Sequence, residues 1–176
     1  IYFQKDQPAN AQFAVERIGG VIPEENREDL TFLRAQIHMA NGNFDEAVEI
    51  LRGLNKTEKY EGFAAYNLGI ALVKSGKTQK GRYYIDMAGQ VEGDQPLTLA
   101  IRDKANLVLG SKLLEEKKYK DAKITLDRVR LGGPFSNRAL LGSGWADAYQ
   151  GKYERALVPW SALVRREVTD ASVQEA

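Results

Sequence analysis

One spacing governs what this chain can fold into. Gly42 and Gly76 stand 34 residues apart, as do Ala47 and Gly81, Lys117 and Gly151, and Ala122 and Ala156. Self-similarity at a fixed period of this size means one supersecondary unit used repeatedly, because a lone unit cannot cover its own apolar face. Around each pair the same layout recurs. An apolar stretch of helical periodicity leads into a short turn of Gly, Lys or Asn and then an aromatic residue or Thr; a second amphipathic stretch follows, with a small residue one turn in. Each unit therefore reads as a helix hairpin. The turns are Asn41-Gly42-Asn43, Ser75-Gly76-Lys77, Lys117-Lys118 and Gln150-Gly151-Lys152. Glycine ends a helix at low cost there because it enters the left-handed region freely. The third turn has no glycine.

Composition narrows function by exclusion. The 176 residues carry 25 Lys+Arg against 24 Asp+Glu, a net charge of +1, so no concentrated positive charge draws nucleic acid or an anionic membrane. No apolar run approaches the ~18 residues that span a bilayer, and no signal-peptide pattern opens the chain. With 0 Cys there is no disulfide, thiol nucleophile or thiolate metal site. The 1 His, His38, falls on the apolar side of a hairpin helix, where a packed core residue is expected rather than a general base. Neither a metal-ligand spacing, a phosphate-cradling Gly loop nor a G-x-S-x-G elbow is found. The expectation is a chain that is not an enzyme and takes no cofactor or metal. Acidic Glu24-Glu25 with Glu28-Asp29, and basic Lys117-Lys118 with Lys120, read as solvated faces.

Four in-phase runs carry a resemblance. One contains Leu68-Gly69 and Leu72; the next has Leu109-Gly110, Leu113, Ala122, Leu126 and Pro134. The run before them has Ala35, Gly42, Phe44, Ala47 and Leu51, and the last has Gly144, Gly151, Tyr153, Ala156 and Trp160. Together, over roughly residues 28 to 168, these runs resemble the tetratricopeptide repeat family, whose pattern is W-x2-L-G-x2-Y, A-x3-F, then P. The outer two copies depart from it, with Thr31 and Arg34 for Trp and Leu, and Ser143 and Asp147 for Leu and Tyr. The resemblance implies an all-α, right-handed superhelical solenoid of antiparallel helix pairs, with about four repeats and partial repeats at both ends. Its expected segments are 1–27, 28–61, 62–102 with an extended junction, 103–136, 137–169 and 170–176, as one continuous domain. In this pattern the small residues sit where the two helices of a pair cross. Gly81 in place of the usual Ala keeps that contact, at ~1 kcal/mol of helix propensity. Loose repeats without Cys are similar to bacterial repeat proteins, many of them in the periplasm or cell envelope; a cytoplasmic location is the alternative.

One junction is irregular. Gly76 to Lys117 spans 41 residues, seven more than the period, and the excess lies between Gly89 and Asp103. Gly93-Asp94-Gln95-Pro96 predicts a turn and cap before a long helix from about Leu97 to Glu116, with Leu97, Ala100, Ile101 and Ala105 on one apolar face. This overhang is expected to pack on an equally extended preceding helix, a partner contact being the alternative. Pro159 is expected to kink the last hairpin helix. Tyr2, Ala11, Val15 and Pro23 carry the repeat spacing, so residue 1 is expected within the first helix of an earlier repeat; Asp170 is a cap candidate for a further helix. Apolar residues near the ends, among them Leu157, Trp160, Leu163 and Val164, point to self-association into a homo-oligomer.

In the family fold the outward face of each first helix lines a concave groove. The phase assigns to it Phe32, Gln36 and Met39, then Phe63, Tyr66, Ile70 and Val73, then Lys104, Leu107, Ser111 and Leu114, then Arg138, Leu141, Trp145 and Tyr149. So apolar and aromatic a strip implies a protein or peptide partner, an amphipathic helix or hydrophobic segment laid in the groove. Of the carboxylate clamp found in some family members only Asn67 and Lys104 match, whereas Phe32, Gln36 and Val108 stand where Lys, Asn and Arg are needed. No clamp is expected. Two functions follow: a non-catalytic interaction scaffold, or a regulatory region of a larger enzyme or signalling protein whose groove another segment of the same chain fills.

Overall fold

A computed structural model describes residues 7–18, 22–54, 57 and 60–166. Among these residues every regular element is an α-helix, and there is no strand. The chain forms two compact units, residues 1–88 and 89–176. In the first, α1 is Pro8–Glu16, α2 Glu24–Ala40, α3 Phe44–Leu54, α4 Glu61–Lys74 and α5 Thr78–Ala88. The second holds α6, Pro96–Glu115, α7, Tyr119–Leu126, α8, Ser136–Ala148, and α9, Tyr153–Val164.

The helices pair as the turns predict: α2 with α3, α4 with α5, α6 with α7 and α8 with α9. All four turns close with the same two hydrogen bonds. The N–H of Gly42, Gly76, Lys117 and Gly151 is donated three residues back, to Met39, Val73, Leu114 and Ala148. The next N–H, of Asn43, Lys77, Lys118 and Lys152, reaches five residues back, to His38, Leu72, Leu113 and Asp147. This is the Schellman closure of a helix C-terminus, which needs one left-handed residue. That residue has φ of 80°, 83° and 73° at the three glycines and 61° at Lys117. The turn without glycine thus has the same geometry, with lysine forced into it.

In unit 1, Ala35, Ala47, Val48, Leu51, Leu54, Ala64, Leu68, Ala71 and Leu72 make one buried cluster across α2, α3 and α4. Each fully buried Leu contributes roughly 1.5–3 kcal/mol relative to exposure. A Cβ placed on Gly81 would lie 2.6 Å from the Gly69 carbonyl oxygen and 2.9 Å from the Val73 nitrogen. The α4–α5 crossing is therefore too close for the alanine usual at this position, and glycine is required there by sterics.

In unit 2, Leu107, Leu126, Val129 and Ala139 form the apolar core. Two polar features share the interior. Asp103, fully buried on α6, accepts from Arg130 Nε at 2.8 Å and from the Arg130 backbone N–H at 3.2 Å, and Arg130 Nη2 lies 2.7 Å away. Asn106, one turn on, donates from Nδ2 to Gly89 O at 2.7 Å and to Arg102 O at 3.0 Å. These side chains fix the loop after α7 and the chain entering α6.

The long helix α6 has 20 residues, with Gln95 at its N-cap and Pro96 in its first turn. Two expectations change. The preceding helix α5 ends at Ala88 after 11 residues, so it offers no matching extension. Of the expected apolar face, Ile101 and Ala105 are buried but Leu97 is 70% exposed. The long helix runs from Pro96 to Glu115, close to the expected Leu97 to Glu116. Helix α9 continues through Pro159, which is buried. Tyr2 and Asp170 lie outside the described residues.

Candidate functional site

Two aromatic clusters stand out, one in each unit. In unit 1, Phe32 on α2 stacks on Tyr60 at 4.7 Å between centroids and meets Phe63 on α4 edge-on at 6.5 Å. Tyr60 caps the start of α4, and its hydroxyl donates to Asp29 Oδ1 at 2.6 Å. Burial and the Asp29 carboxylate, with Glu28 behind it, push the Tyr60 phenol up to about 12. Phe32, Phe63, Gln36, Met39, Ile70 and Val73 are all half-buried.

Tyr66 is only 8% exposed, and burial pushes its phenol up from 10.0. It therefore does not lie on an open face as the repeat phase suggests. Val73 is partly drawn inward too, because its side chain fills the space beside Gly81.

In unit 2, Trp145 on α8 stacks on Tyr149 at 5.5 Å, Tyr149 on Tyr119 at 5.0 Å, and Trp145 meets Trp160 of α9 edge-on at 5.1 Å. The Trp160 indole N–H donates to Leu141 O at 3.2 Å, which sets the orientation of that ring. Tyr149 is 59% exposed, Lys104 and Arg138 are exposed, and Leu141, Leu114, Ser111 and Trp145 are half-buried. Leu107 is 4% exposed and belongs to the core of the unit rather than to an open face. The structure thus brings Phe32 to Phe63 and Trp145 to Tyr149. It adds Tyr60, Tyr119 and Trp160, none of which belonged to the expected groove.

Beside the second cluster lies a polar network that the sequence showed only as departures from the repeat. Lys123 Nζ donates to Ser143 Oγ at 2.6 Å and to Asp127 Oδ1 at 2.9 Å, and lies 3.5 Å from Oδ2 of buried Asp147. The Ser143 hydroxyl in turn donates to Asp127 Oδ1 at 2.7 Å. A Ser–Lys pair can serve nucleophilic catalysis when the lysine accepts the hydroxyl proton. Here the lysine donates to the serine, and two carboxylates hold it. The arrangement joins α7 to α8. Among the described residues no three His, Cys, Asp or Glu side chains gather to hold a metal ion, and no helix is long and apolar enough to cross a membrane.

His38 lines a small cleft of about 150 Å³ with Gln12, Val15, Glu16, Arg34 and Ile37. Among the described residues its buried Nδ1 has no hydrogen-bond partner. In comparisons with known proteins, no family model and no curated protein matches this chain.

Proposed function

We propose that the chain is a non-catalytic interaction scaffold of the tetratricopeptide type. On this reading its hairpins continue into a right-handed solenoid, and the first-helix faces hold a hydrophobic peptide or amphipathic helix of a partner protein. The observation that carries the proposal is the half-exposed aromatic cluster Phe32–Tyr60–Phe63, on helices α2 and α4 that also carry the half-buried Met39 and Ile70. Aromatic side chains that are anchored on one side and open on the other are the groups that dominate peptide and helix recognition. The identical closure of four hairpin turns supports the repeat assignment.

The test uses a displayed library of amphipathic helical peptides selected on the full chain. Phe63→Ala is the diagnostic variant, because Phe63 is half-buried and its loss leaves the core of α4 in place. Binding of the selected peptides is expected to fall by more than ~2 kcal/mol with helicity unchanged. Peptides that bind the variant as well as the parent would refute the site.

A further inference from the structure

Tyr153, Leu157 and Val164 on α9 are exposed beside Trp160, which packs on Trp145 of α8, and the charges that flank them make this face complementary to itself. Six residues past the left-handed turn residue, α3 and α7 each present a side chain toward the helix that follows. Val48 holds this position on α3, is 1% exposed, and is buried in the cluster shared with α4. Lys123 holds it on α7, bonded to Ser143 of α8. On α9 the equivalent is Leu157, which is 57% exposed, with Tyr153 at 70% and Val164 at 58%. At about 100° per residue, Tyr153, Leu157, Trp160 and Val164 fall within about 60° of one another, as one seam along the helix.

We propose that this seam pairs with the α9 seam of a second copy of the chain, antiparallel about a two-fold axis. With the axis level with Val158 and Pro159, Tyr153 faces the partner's Val164 and Leu157 faces the partner's Trp160. Glu154 and Arg165 flank the seam on one side, within about 20° of each other around the helix. A two-fold axis keeps that side in common for both helices. Glu154 of each copy then comes within about 3 Å along the axis of the partner's Arg165, so two symmetric ion pairs border the apolar contact. A single pair of 12-residue helices buries less than a standard interface, so the dimer is weak.

Sedimentation of the full chain over a range reaching several hundred micromolar tests this, with helicity and Tm followed on every variant. The parent is expected to dimerise, and Leu157→Asp to be monomeric with unchanged helicity, since Leu157 is exposed in the single copy. Glu154→Arg should weaken the dimer about tenfold or more, and Glu154→Arg with Arg165→Glu should restore it. A parent that stays monomeric overturns the proposal. If such a parent dimerises only after removal of residues 167–176, the seam belongs to that segment. A Leu157→Asp variant that still dimerises, or a double charge swap that fails to restore pairing, overturns it as well.

Discussion

At the scale of single residues, Lys117 holds a glycine's conformation with a side chain attached. Its φ of 61° lies in the left-handed region, which costs an L-residue roughly 1–2 kcal/mol. Glycine would remove that cost while adding entropy to the unfolded chain, an opposing effect of about 0.5–1 kcal/mol. Lys117→Gly is therefore expected to raise stability by about 0.5–1 kcal/mol, read as a higher urea midpoint at constant slope. A lower midpoint would mean that the lysine side chain makes a contact worth more than the strain. Tyr60 gives a second residue-level expectation. Its phenol is raised from 10.0 to about 12, so the folded state favours the neutral form. The stability this provides is fully present below pH 10.0 and is lost as pH climbs through about 12. Ultraviolet titration of the tyrosines should show the group near 12 disappear in Tyr60→Phe while the raised, buried Tyr66 remains, and the variant should lose less stability than the parent across that alkaline window.

At the scale of elements, the hairpins were legible and their polar fastenings were not. A glycine at a helix end is a local signal, and Gly42, Gly76 and Gly151 mark their turns without help from tertiary structure. Pro96 marked the start of α6 in the same way. Pro23, which carries the spacing of an earlier repeat's closing Pro, occupies the N-cap of α2. The pairs Tyr60–Asp29, Asp103–Arg130 and Lys123–Ser143 join residues far apart in sequence, and periodicity carries no information about them. One clue was present: Ser143 and Asp147 break the repeat pattern on α8, and the charge that answers them, Lys123, stands where α3 has Val48. Tyr66 and Leu107 share the helical phase of open positions yet are buried, since phase names a direction and not the cover lying over it. The Asp103–Arg130 contact has a direct test. Removing the guanidinium strands a fully buried carboxylate with the Arg130 backbone N–H at 3.2 Å as its remaining donor. Arg130→Met should cost about 3 kcal/mol in chemical denaturation, and adding Asp103→Asn should recover part of that loss. Equal stability of Arg130→Met and the parent would show that the ion pair only offsets its own desolvation.

At the scale of the whole molecule, two compact units meet in sequence at residues 88 and 89. The non-helical stretch from Val91 to Gln95 follows, with Glu92, Gly93, Asp94 and Gln95 exposed. Exposed backbone outside a helix is where a protease gains purchase. A glutamate-specific protease is expected to cut after Glu92, and both products should keep helical circular dichroism, because each unit carries its own buried cluster. Products that lose their helix signal would show that neither unit stands without the other.

The pairing of chain neighbours within each unit has a kinetic consequence. Helix α3 touches α2 and α4, and α7 touches α6 and α8, so most native contacts join segments separated by a turn of a few residues. Such a chain has low contact order. The loops that must close before packing is rewarded are short, and the entropic part of the folding barrier is correspondingly small. Each hairpin can form as soon as its two helices exist, without waiting for a distant strand or terminus to arrive. A ribosome delivering this sequence from its N-terminus would release it in an order that the native contacts can use at once.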